Sequence, residues 1–152
     1  MTLVVFLSLL FGLFNAQQEG AVATFAVDNT TPSTGEAVQF TLILEMPADY
    51  TLIEWPEIPI TWGDFDVSDI TPMKNETLTS GRIRYTQTFT ARLWRPGDFE
   101  TPATFIAYQR PGEDGTLRIP VRTTFFSVPT VLDRADLTLR PYLPPKTVLF
   151  VP

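Results

Sequence analysis

Residues 37–45 read AVQFTLILE, and their character alternates with a period of two. Val38, Phe40, Leu42 and Leu44 share one face of an extended chain. Gln39, Thr41 and Glu45 share the other, where Ile43 is the one apolar intruder. A helix would scatter the first four around its surface, because its side chains realign only every three or four residues. The stretch therefore predicts a half-buried β-strand. Residues 82–94, RIRYTQTFTARLW, repeat the pattern: Ile83, Tyr85, Phe89, Ala91 and Leu93 face one way. Arg82, Arg84, Thr86, Thr88, Thr90 and Arg92 face the other, which marks that side as solvated.

Outward from these two runs the chain keeps the same character. Shorter strand-like segments occupy residues 21–28, 50–55, 64–70, 73–79, 103–109 and 116–128, and no apolar stripe at helical spacing follows Gln17. Turn-formers separate them: NTTPSTGE, MPAD, WPEIP, TSG, RPGD and RPGEDG. About eight short strands with turn signals every 8–12 residues predict an all-β fold, an antiparallel immunoglobulin-like β-sandwich of about 7–9 strands. The sandwich is expected over residues 21–129.

Two turns carry most of the topology. In RPGD, Pro96 presets φ and Gly97 accepts positive φ, so one strand ends there and another begins. Phe99 then plugs the corner before residues 103–109 run back. Further on, Asp114-Gly115 suits a tight hairpin leading into a single strand over residues 116–128. Pro120 cannot donate a ladder hydrogen bond, which places it at an edge or a bulge.

The ends of the chain read differently. Residues 1–16, MTLVVFLSLLFGLFNA, hold an uncharged apolar run from Leu3 to Phe14. Its length suits the central region of a signal peptide and is short of the about 20 residues a bilayer-spanning helix needs. A signal peptide or N-terminal anchor, and hence export, is the expectation. Residues 130–152 contain Pro141, Pro144, Pro145 and Pro152 and read as an extended linker of the kind that leads to a membrane span.

Composition narrows the function. Eleven Lys and Arg against 17 Asp and Glu give a net charge of -6, which repels phosphate backbones and argues against nucleic acid as a partner. The chain has no Cys and no His. Thiol nucleophiles, Ser-His-Asp sets and most zinc sites are thereby excluded, no phosphate loop or dinucleotide fingerprint is present, and enzyme activity is not expected. No cofactor or metal is expected either. Asp64, Asp66 and Ser68 alternate like the first ligands of a calcium loop, but Asp69 stands where glycine is needed and Asn75 where the closing glutamate belongs. A strand with Phe65 and Val67 inward explains that segment better. Asn29 and Asn75 head glycosylation-type triplets, a pattern of low specificity. Trp55 and Trp62 flank the Pro-rich PEIPI and are the candidate binding surface, since exposed indoles stack on sugar rings or partner prolines, although indoles in such places more often seal a core. Arg82, Arg84 and Arg92 read as an ordinary solvated stripe.

The entry ATFAVDNTTPSTGEAVQFTLILE, the long YTQTFTARLWRPGDFETPATFIAY and the exit LTLRPYLPPK together resemble the N-terminal part of the BatD family, exported β-sandwich proteins of the Bat aerotolerance operons. The resemblance covers residues 22–146. It implies a non-enzymatic extracytoplasmic domain, in the periplasm or at the outer face of the cytoplasmic membrane, tethered through segments outside the sandwich. It also implies protein partners in the cell envelope, including proteins with von Willebrand factor A domains. The rival expectation is a secreted carbohydrate-binding or adhesive module using Trp55 and Trp62.

Overall fold

In a computed structural model, residues 20–130 are described, and the leader-like and Pro-rich segments lie outside that range. Among the described residues there are eleven strands and no helix. They are β1 (Val22–Val27), β2 (Val38–Pro47), β3 (Thr51–Glu54), β4 (Thr61–Trp62), β5 (Phe65–Ser68), β6 (Lys74–Thr77), β7 (Arg82–Arg92), β8 (Gly97–Glu100), β9 (Phe105–Gln109), β10 (Leu117–Pro120) and β11 (Phe125–Val128).

The two runs that decide the sequence reading lie side by side. β2 and β7 pair antiparallel from Val38↔Ala91 to Pro47↔Arg82 and form the middle of a six-stranded sheet ordered β1-β2-β7-β5-β4, with β6 also on β7. A second sheet runs β10-β9-β3, and a two-stranded ribbon pairs β11 with β8. β1-β2-β7-β5 over β10-β9-β3 is the strand order of constant-type immunoglobulin sandwiches. The expected fold class holds, with additional short strands.

Alternation sets what the sheets bury. Val38, Phe40, Leu42, Leu44 and Met46 are inside, and so are Phe89, Ala91 and Leu93 across the ladder. At the centre Phe40 stacks on Phe89 with ring centroids 5.0 Å apart, and Phe25, Trp62 and Phe65 meet Phe40 edge-on. Edge-to-face and offset-stacked rings each contribute about 0.5–1.5 kcal/mol beyond their buried area. Ile106 and Tyr108 of β9 complete the core from the second sheet. β11 adds Phe126, whose ring lies 5.3 Å from Phe65 and 5.5 Å from Phe40.

β5 and β6 share one edge of β7, and the chain between them bulges. Asp69 adopts φ 53, a left-handed conformation that Asp tolerates better than most residues, and the Thr71 amide then rejoins the ladder by donating to the Thr88 carbonyl at 2.9 Å. Phe65 and Val67 point inward as the strand reading requires.

Three expectations are corrected. The segment 116–128 is two strands. Pro120 closes β10, at the edge of its sheet as predicted, and the chain then crosses over: the Val121 amide donates to Thr104 O, the Arg122 amide to Ala23 O and the Thr124 amide to Thr101 Oγ1. β10 and β11 thus belong to different sheets, a corner of the kind that sandwiches use to switch layers. The hairpin before β10 turns at Pro111-Gly112 instead of Asp114-Gly115. Gly112 holds φ 76 and the Glu113 amide faces the Arg110 carbonyl at 3.4 Å, so Pro and Gly occupy the central positions of a type II turn. Finally, the RPGD corner does not lead straight back to residues 103–109. Gly97 takes positive φ as expected, but residues 97–100 form β8 first, with Phe99 packed beneath it.

Candidate functional site

The two indoles singled out in the sequence are not a pair. Trp62 is 5% exposed and wedged among Phe25, Phe40, Phe65 and Phe89, so it is a core residue and not a binding surface. The reason is register: Trp62 pairs with Phe65 across the β4–β5 turn, and both follow the inward phase of β5. Trp55 is half-buried against Tyr85, and its Nε1 donates to Gln87 Oε1 at 2.7 Å. Gln87 is the polar member of the inward row of β7, and its amide group donates in turn to the Thr71 carbonyl at 2.9 Å. Trp55 therefore covers a buried-side polar residue and leaves its own donor occupied.

The arginine stripe is tied down as well. Arg84 bridges Glu45 at 2.7 Å and Glu76 at 3.3 Å, and the Glu45 hydrogen bond raises its pKa above the ordinary guanidinium value. Arg82 donates to the carbonyls of Gly20 and Glu45, and Arg92 reaches Ser68 Oγ.

An open surface lies at the β8–β11 ribbon. Register opposes Glu100 to Phe125 and Asp98 to Ser127, while Phe99 and Phe126 between them point into the core. The outer row thus carries two carboxylates and Phe125, which is 68% exposed. Asp64, at the β4–β5 turn, adds a third carboxylate, and together these residues line an open groove of about 330 Å³. The turn is held close by Gly63, where an added Cβ would come within 2.7 Å of the Pro102 ring.

Internal cations already touch this region. Arg95 pairs with Asp64 while its guanidinium carbon lies 5.4 Å from the centre of the Phe99 ring. Next to it Trp94, 62% exposed, lies with one face against Gly35 and donates to Asp66 Oδ2 at 3.3 Å. Gly35 holds φ 78 in a turn closed by Glu36 N to Ser33 O, and the Glu36 carboxylate accepts from the Ser33 amide at 2.7 Å. The Gly-Glu turn of the entry segment thus seats Trp94.

Comparison with protein-family models, with curated proteins and with solved structures finds no match. The surface has to be read from its own chemistry. Phe125 carried a signal in the sequence: in an alternating strand, adjacent aromatic residues such as Phe125-Phe126 cannot both face the core.

Proposed function

We propose that this chain is a non-enzymatic protein-interaction domain, working outside the cytoplasm as a BatD-like component of a cell-envelope complex. The observation that carries this reading is Phe125, a large aromatic side chain left 68% exposed opposite Glu100, in a groove it shares with Asp64 and Asp98, on a ribbon whose opposite face is firmly packed. Aromatic residues are enriched at the centre of protein interfaces, and an acidic surround discourages non-specific association. The leader-like residues 1–16 and the three BatD-resembling segments support the location and the assembly. The glycan-binding reading drew on paired indoles at Trp55 and Trp62, and burial of Trp62 removes that platform.

The test is site-specific photo-crosslinking in the cell that encodes the protein, with the photoreactive residue at position 125 and, as control, at Thr77 on exposed β6. A discrete adduct with one envelope protein at position 125, absent at position 77, is expected. No adduct at position 125, or the same pattern at both positions, contradicts the reading.

A further inference from the structure

We propose that the groove beside β8 receives arginine or lysine side chains from an extended segment of a protein partner, which adds as a strand to the free edge of β8. The proposal rests on the protein-interaction reading above and specifies its chemistry.

The edge comes first. The Thr101 amide donates to the Thr124 carbonyl at 3.0 Å, which fixes the phase of the ribbon. In an antiparallel pair such positions alternate, so Gly97 and Phe99 direct their backbone groups at β11, while Asp98 and Glu100 direct theirs away from it. Among the described residues no backbone group meets them there. The opposite edge of the ribbon is partly used, since the Ser127 amide donates to the Thr30 carbonyl at 3.0 Å. An unpaired row of N–H and C=O groups is the template on which peptide strands add.

Charge selects the occupant. Asp64 is neutralised by Arg95, but Asp98 and Glu100 have no ion pair among the described residues. No three carboxylates converge closely enough there to hold a metal ion, again among the described residues. Carboxylates spread at alternate positions of a strand match organic cations spaced the same way, because opposite charges facing each other across a ladder stabilise the pairing. The partner segment is therefore expected to carry basic residues at positions i and i+2.

The aromatic ring completes the site. A guanidinium or ammonium is drawn to the face of an aromatic ring within about 6 Å of its centre. The chain uses this contact twice on its own account, with Arg95 over Phe99 and with Arg118 over Phe105 at 4.9 Å. Phe125 offers the same face to solvent beside Glu100.

The test titrates the full chain, by calorimetry at low ionic strength, with an end-blocked peptide alternating threonine and arginine. Controls are the same peptide with glutamate for arginine, one with its arginines adjacent, and one N-methylated on the amides that would face β8. Binding of the alternating arginine peptide alone is expected, weakening as salt rises. The double variant Asp98→Asn, Glu100→Gln should weaken it by about 10-fold, and Phe125→Ser by about 3- to 5-fold, with unchanged circular dichroism. The proposal fails if the arginine peptide does not bind, if the double variant binds it equally well, or if the glutamate, adjacent-arginine or N-methylated peptide binds as tightly. Self-association of the chain through this face, seen by sedimentation and abolished by Phe125→Ser, would also overturn it in favour of a second copy. A partner adduct at position 125 without arginine-peptide binding would sink this inference and leave the interaction reading standing.

Discussion

The β2–β7 pair and the β8–β11 ribbon are built on the same rule and put it to opposite uses. In each, antiparallel register sends alternate side chains inward. β2 and β7 are long, central in their sheet and paired on both edges, so their inward row is continuous and their backbone groups are spent on the ladder. The ribbon strands are four residues long, their inward row is only Phe99, Phe126 and Val128, and among the described residues one edge stays open. The comparison teaches that stability and recognition are divided along the chain: the long pair holds the fold, and the short one displays a surface.

Substitutions can break that division. Phe40→Ala removes the ring at which Phe25, Trp62, Phe65, Phe89 and Phe126 meet, and is expected to cost about 3–5 kcal/mol in chemical unfolding. A loss below about 1 kcal/mol would mean that the β2–β7 centre is not where the fold is held. Trp55→Phe keeps most of the ring but leaves Gln87 Oε1 without its donor, for an expected loss of about 1 kcal/mol. If Gln87→Leu alone cost nothing while Trp55→Phe cost several kcal/mol, Trp55 would matter through packing and not through that bond. Phe125→Ser should change stability by no more than about 0.5 kcal/mol, since the side chain it removes is mostly in water. A large loss would make Phe125 a structural residue and close the distinction between the two regions.

What the sequence disclosed follows the same line. β2 and β7 were legible because ten or so residues alternate with only Ile43 and Gln87 out of phase, which leaves one phase for the apolar face. Pro120 could be assigned to an edge because a missing N–H is a strict constraint. β8 stayed hidden behind Pro96-Gly97, since a strong turn signal masks a short strand that follows it. Residues 116–128 looked like one strand because TLRIPVRTTFFSV is rich in apolar and β-branched residues and holds no Gly or Asn, although its apolar phase shifts between Val121 and Phe126; the break at 121–124 comes from hydrogen bonds to Ala23, Thr101 and Thr104, all distant in sequence. Trp62 stays ambiguous between core and surface in the sequence for a related reason: β4 is two residues long and has no phase of its own, so only pairing with Phe65 decides which way the indole points. Trp94 continues the polar phase of Thr90 and Arg92 and is 62% exposed. The acidic groove needed tertiary structure, because Asp64 and Glu100 meet only once the β4–β5 turn is seated on Pro102.

The most direct test of the division is amide hydrogen exchange on the full chain, with and without the alternating arginine peptide. The β2 and β7 amides should exchange slowly in both conditions, and the Asp98 and Glu100 amides should exchange fast in the free protein and become protected when the peptide binds. Protection of Asp98 and Glu100 in the free protein, or no change on adding peptide, would contradict an open, strand-accepting edge at β8.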